Sequence, residues 1–187
     1  MNNRNIVLIL LIVLAIATRL MPHYPNFTAL GAAAIFGGAM FKNSFKAFLI
    51  PITVLFLSDI ILNNVYYSNY KSSHEFQWFT NDFGYMYIGF TLSVLIGRLN
   101  IKQIKILPIL SSALLSALVF FLLTNFGSWL SNPMYSKDIG GLLLSYEAGI
   151  PFALNDLGST ALYSMILFGA AYSLSFTGLK LIPERAS

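Results

Sequence analysis

Six stretches of this chain are too apolar for water to solvate them, and their lengths and breaks bound what the chain can fold into. An α-helix needs roughly 17–25 predominantly apolar residues to cross the hydrocarbon core of a bilayer, and somewhat fewer where flanking side chains snorkel. Such runs occur at about residues 5–21, 27–41, 45–62, 83–97, 106–124 and 156–176. The whole chain is 57% hydrophobic and only 10% charged, against about 25% charged in an average soluble domain. One aqueous core cannot bury that much apolar surface, so lipid must solvate part of it. The expected fold is therefore an all-α integral membrane protein, a compact bundle of six transmembrane helices. At 187 residues a single membrane domain covering 1–187 fills the chain.

The breaks are chemically distinct. Pro22, His23, Tyr24 and Pro25 end the first run, because proline lacks an N–H and restricts its predecessor. Lys42, Asn43 and Ser44 read as a tight turn, Pro51 as a kink in the third span, and Arg98 to Lys105 as a basic loop. The segments 63–82 and 125–155 read as long polar and aromatic loops. At the N-terminus, Arg4, the run to Ala17 and Ala15-Ile16-Ala17 imitate a cleavable signal peptide. Another hydrophobic segment follows at once, which favours retention as a first helix.

Charge orients the spans. With the N-terminus inside, the cytoplasmic segments hold Arg4, Lys42, Lys46, Arg98, Lys102, Lys105, Lys180 and Arg185, eight of the eleven basic residues. The outer side receives Arg19, Lys71 and Lys137, together with six of the seven acids: Asp59, Glu75, Asp82, Asp138, Glu147 and Asp156. This is the positive-inside bias, and it predicts a multi-pass protein of a bacterial cytoplasmic membrane with both termini cytoplasmic. The long loops then lie outside, so recognition is expected there.

Several chemistries lack their residues. There is no G-x-x-x-x-G-K-[ST] phosphate loop, no H-E-x-x-H pair and no G-x-S-x-G elbow. Cysteine is absent, and the basic residues form no dense run that would bind nucleic acid. The sequence predicts neither an enzyme nor a bound metal or cofactor.

Polar residues inside or beside the spans are the candidates for function. Arg19 and Asp59 fall at matching depth near the outer ends of the first and third spans, where they can pair with each other. Alternatively Arg19 clamps a ligand carboxylate or phosphate, and Asp59 accepts from a ligand N–H. Asn63 shares a helical face with Asp59. Asp156, Thr160, Tyr163 and Ser164 form a second polar stripe, continued upward by Asn155. Both stripes suit either interhelical hydrogen bonding or a cavity open to the outside. Trp78 with Asn81 and Asp82, and Asn125 with Trp129 and Asn132, combine aromatic and amide groups suited to a planar ligand, alongside the alternative of an interfacial aromatic belt. Small residues recur at Gly31, Ala34 and Gly38 on the second span, which serves close packing within the bundle or docking of a second membrane subunit.

The chain also resembles a known family. Arg19-Leu20-Met21-Pro22, Pro25-Asn26-Phe27-Thr28, Phe36-Gly37-Gly38-Ala39 and Leu57-Ser58-Asp59 carry the likeness in the N-terminal half. Thr124-Asn125-Phe126-Gly127, Met134-Tyr135, Gly140-Gly141-Leu142, Ile150-Pro151-Phe152 and Leu167-Phe168-Gly169 carry it in the C-terminal half. These resemble an uncharacterised bacterial membrane-protein family grouped with the substrate-binding S components of energy-coupling-factor transporters. The resemblance implies a six-helix bundle that captures a vitamin or similar micronutrient from outside. A transmembrane coupling subunit and an ATPase pair would then drive its release. Arg19, Asn26, Asp59, Asn63, Trp78, Asn81, Asn125, Trp129, Tyr135, Asn155, Asp156 and Tyr163 are the expected substrate-binding set. In one respect the chain departs from such proteins, which often dock through A-x-x-x-A on the first helix. Here that helix has Ala15 and Ala17, two apart, so docking falls to Gly31, Ala34 and Gly38, or the chain acts without the shared module.

Overall fold

The computed structural model describes residues 3–66, 76–79 and 83–176, and these contain helices and connections with no strand. Six α-helices follow in order: α1 (Asn3–Ala17), α2 (Leu30–Met40), α3 (Ser44–Ile61), α4 (Phe83–Asn100), α5 (Ile106–Ser131) and α6 (Ile139–Ser175). A 3-10 turn, Thr18–Leu20, prolongs α1, and a π-helical turn, Leu62–Tyr66, prolongs α3. Four of these units are long and apolar enough to cross a membrane: Asn3–Leu20, Ser44–Tyr66, Ile106–Ser131 and Ile139–Ser175.

Their surfaces are those of helices whose solvent is lipid. On α5, Leu110, Leu114, Leu118 and Leu122 recur every four residues and are all exposed, whereas Ser112, Ala113, Ser116 and Ala117 are buried. Small and hydroxyl-bearing residues face the bundle and leucines face outward, the arrangement expected when apolar contact with the surroundings costs nothing. The Ser116 hydroxyl donates to that of Ser93 on α4 at 2.6 Å.

Helix α2 occupies the centre. Ten of its eleven residues are buried, as expected of a helix that is hydrophobic all round. It packs on α1, α3, α4, α5 and α6. Its glycines let backbones meet: a Cβ on Gly38 would overlap the carbonyl oxygen of Val94, and one on Gly97 would overlap that of Ile35. The closest approach of α2 and α4 is thus reciprocal, each helix presenting a glycine to the other's carbonyl. Gly37 leaves room in turn for the Pro51 ring of α3. Gly31 faces Thr160, Gly38 faces α4 and Ala34 is fully buried. The three positions considered for a partner subunit are therefore consumed by packing within this chain.

Two arginines close the C-terminal end of α2. Arg4 donates to the Met40 carbonyl at 2.6 Å, and Arg98 donates to those of Phe41 at 3.2 Å and Lys42 at 3.3 Å. Carbonyls at a helix end lack intrahelical partners, and the helix dipole favours cations there. Asn43 then caps α3 by accepting from the Lys46 N–H at 3.1 Å.

Two boundaries differ from expectation. With eleven residues, α2 is only about 16 Å long at 1.5 Å per residue, against a hydrocarbon thickness of about 30 Å. Its hydrophobicity comes from burial inside the protein. The long loop expected at 125–155 is mostly helical: α5 runs on to Ser131, α6 starts at Ile139, and only 132–138 connects them. Asp138 starts α6 by accepting from the Gly141 N–H at 2.8 Å, and Gly141 is buried against the Ser136 carbonyl. Pro151 lies inside α6; packing against α5 outweighs the loop signals of Gly140, Gly141 and Pro151.

Candidate functional site

Away from Arg4 and Arg98, polar side chains converge on one region. The Arg19 Nη1 donates to Oδ1 of Asp59 at 2.6 Å and to the Ser58 hydroxyl at 2.9 Å. The Tyr87 hydroxyl donates to the other carboxylate oxygen of Asp59 at 2.8 Å. Both oxygens of Asp59 are thus engaged, and its side chain is only 9% exposed. Among the described residues this is the one salt bridge. The pairing alternative for Arg19 and Asp59 is realised.

The connection from Met21 to Ala29 is held by its neighbours on both sides. The Asn155 amide donates to the Pro25 carbonyl at 2.9 Å, and the Ser159 hydroxyl to that of Asn26 at 3.4 Å. The Ala29 N–H donates to the Thr18 hydroxyl at 3.1 Å. Asn26 has φ of 59°, a left-handed conformation that asparagine tolerates better than most residues. A β-branched residue would be strained there.

Beneath this connection lies a cavity of about 380 Å³ whose lining includes Arg19, His23, Asn26, Phe120 and Asp156. A second, of about 260 Å³ between α5 and α6, shares Asn26, Phe120 and Asp156 and adds Thr124, Asn125 and Tyr135. His23 and Asn26 are exposed at the mouth. A third, far smaller pocket of about 10 Å³ lies beside Gly31 in the first turn of α2, and Asp156 is on its wall too. Among the described residues the Asp156 carboxylate accepts only the Thr160 hydroxyl, at 3.5 Å, and Thr160 packs on Gly31. The N-terminal end of α2, where a helix dipole favours negative charge, is therefore next to it.

The residues expected to bind substrate divide into three groups. Arg19, Asn26, Asn125, Tyr135 and Asp156 line the two cavities. Asp59, Asn63, Asn155, Trp78, Trp129 and Tyr163 do not. Asp59 is paired and Asn63 buried, and Asn155 holds the 21–29 connection. Trp78 stacks on Phe56, and Tyr163 meets Phe27 edge-on. Trp129 donates from its indole N–H to the Ser136 carbonyl at 2.8 Å and fixes the α5–α6 turn. Asn81 lies outside the described residues, as do Asp82 and His74. Sequence reasoning missed Phe120, Thr124 and Ser128, which recur every four residues on the cavity face of α5. That period is present in the sequence, but the loop assigned from residue 125 onward cut it short.

Fold and site together define a helical protein with membrane-length helices around a polar, charged cavity. The chain belongs to the family described as DUF6580, a family of unknown function, whose model matches residues 1–180. No curated protein and no solved structure matches it.

Proposed function

We propose that this chain is a membrane-embedded solute-binding component for uptake of a vitamin-like small organic micronutrient. One observation carries the reading: a cavity lined by Arg19, His23, Asn26 and Asp156 runs from the exposed 21–29 connection to Leu30 at the start of α2. Its size is at the lower end of the range for small-molecule sites. Leu30, on the lining of this cavity, is ten residues from the C-terminal end of α2, so this part of the floor stands only about 15 Å above the arginine-capped end. In a bilayer of about 30 Å that floor lies near the midplane. Irregular backbone such as 21–29 is tolerated at membrane depth when it is covered by protein or lines a wet cavity.

On this reading the six helices form an S-component-like bundle in a bacterial cytoplasmic membrane. The ends marked by Arg4 and Arg98 face the cytoplasm, in line with the basic bias, and the cavity faces outward. Phe36, Phe90 and Phe168 are fully buried in one hydrophobic core, which favours capture and release by movement over a continuous channel. The chain itself performs no chemistry, and an ATPase-coupled membrane module supplies the energy. With Gly31, Ala34 and Gly38 buried, such a module would dock on another face.

The test is a thermal-shift screen of the detergent-solubilised protein against a vitamin and cofactor library. A ligand that binds only the folded state stabilises it by about 2.7 kcal/mol at a hundredfold excess over Kd. A hit weakened by Asn125→Ala supports the reading. A flat screen on well-folded protein sinks it and favours a membrane assembly role.

A further inference from the structure

We infer that the solute is bipolar, with a carboxylate held by Arg19 and a cationic nitrogen held by Asp156. The inference rests on the solute-binding reading above and narrows its substrate class.

The anionic end follows from how Arg19 is held. Its Nη1 is committed to Asp59 and Ser58, while Nη2 and Nε take no hydrogen bond among the described residues. The side chain nevertheless lines the cavity of about 380 Å³. A guanidinium anchored at one corner is oriented without being used up, and its remaining edge offers two N–H donors in a plane. That fork matches the two oxygens of a carboxylate. Asp59 and Tyr87 then act as the support that holds the fork.

The cationic end follows from what Asp156 lacks. It lines the same cavity as Arg19, yet no basic side chain among the described residues pairs with it, and the Thr160 hydroxyl at 3.5 Å is at the long limit of a hydrogen bond. The wall around it includes Leu30, Phe90 and Phe120. A carboxylate in such surroundings is costly without a partner, and a ligand ammonium or amidinium would complete it. A purely anionic ligand would satisfy Arg19 but face the Asp156 charge. A purely cationic one would satisfy Asp156 and leave the guanidinium edge unfilled.

The experiment uses the full chain in detergent and a library sorted into zwitterions, simple anions and simple cations of similar size. The best zwitterionic hit is then compared with its N-acetyl form and its carboxamide form by titration calorimetry. Each masked form should bind about tenfold more weakly or worse, since a hydrogen bond to a charged group contributes roughly that factor. In Asp156→Asn the parent and its N-acetyl form should bind alike, a convergence that a merely structural aspartate would not produce. If that variant does not fold, the two masked forms on the unaltered protein decide. Hits confined to one sign of charge, or a zwitterion that tolerates either mask, overturn the bipolar assignment and leave solute binding standing. A screen with no hit of any class removes both.

Discussion

Nη1 of Arg19 lies 2.6 Å from Oδ1 of Asp59, and the chain between them contains the whole of α2. Oδ2 of the same aspartate accepts from Tyr87 on α4. The 3-10 turn after α1, the last turns of α3 and the second turn of α4 are thus tied at a single carboxylate. Removing one partner of a buried pair leaves an uncompensated charge, which costs more than the pair itself contributes.

Arg19→Ala is accordingly expected to destabilise by about 3–5 kcal/mol. Asp59→Ala should cost a comparable amount, and the double variant less than the sum. The check is a double-mutant cycle on stability in detergent, with a coupling above about 1 kcal/mol expected between contacting groups. Additivity within about 0.5 kcal/mol would show that the two side chains do not act as a pair.

Gly38→Ala and Gly97→Ala should each be disruptive, because the added methyl overlaps backbone carbonyls of Val94 and Ile35 that cannot rotate away. Overpacking of this kind costs about 1–3 kcal/mol or more. Gly84→Ala and Gly169→Ala are the controls, since nothing lies within 4 Å of a Cβ at either position. Equal melting temperatures for all four would refute the close approach of α2 and α4.

Trp129 and Asn125 should separate stability from binding. Trp129→Phe removes the indole bond to the Ser136 carbonyl and should cost about 0.5–1.5 kcal/mol of stability with ligand affinity unchanged. Asn125→Ala removes a cavity amide and should weaken affinity for whichever solute the screen yields. The reverse pattern would return Trp129 to the binding site.

Asp138 gives an acid-side dependence. Its carboxyl is held below its ordinary value of 3.8 by the Gly141 backbone N–H and then by the Ser136 hydroxyl. A lowered folded-state pKa means that the stabilisation is fully present above 3.8 and is lost as pH falls through the lower folded value. Asp138→Asn should flatten this part of the stability profile while leaving neutral-pH folding intact. An unchanged acid limb would mean that the cap does not report on α6.

How far the site could be read in advance depended on distance along the chain. Arg19 and Asp59 were recognisable because a lone charge in an apolar run needs a partner, and matching depths suggested which one. Asp156 was recognisable as a polar residue on a helical face, and Asn125 as an amide close to an aromatic residue in a segment read as a loop. Trp78 and Trp129 lie off the two cavities, which their local sequence could not show: a tryptophan in a polar segment looks alike whether it meets a ligand, a ring such as Phe56 or a carbonyl such as that of Ser136. His23 carried no local signal, because only the fold brings the 21–29 connection over α5 and α6.

By itself the sequence determined that the chain is helical and rich in membrane-like apolar runs, and where most of the helices begin and end, because periodicity, proline and caps act over a few residues; it read six spans where four units have membrane length and apolarity. Tertiary structure decided the rest. It placed the eleven residues of α2 at the centre, where burial replaces lipid as their apolar surroundings. It kept α6 helical through Gly149 and Pro151, where contact with α5 outweighs the two local breakers. It also paired Asp59 while leaving Asp156 on a cavity wall.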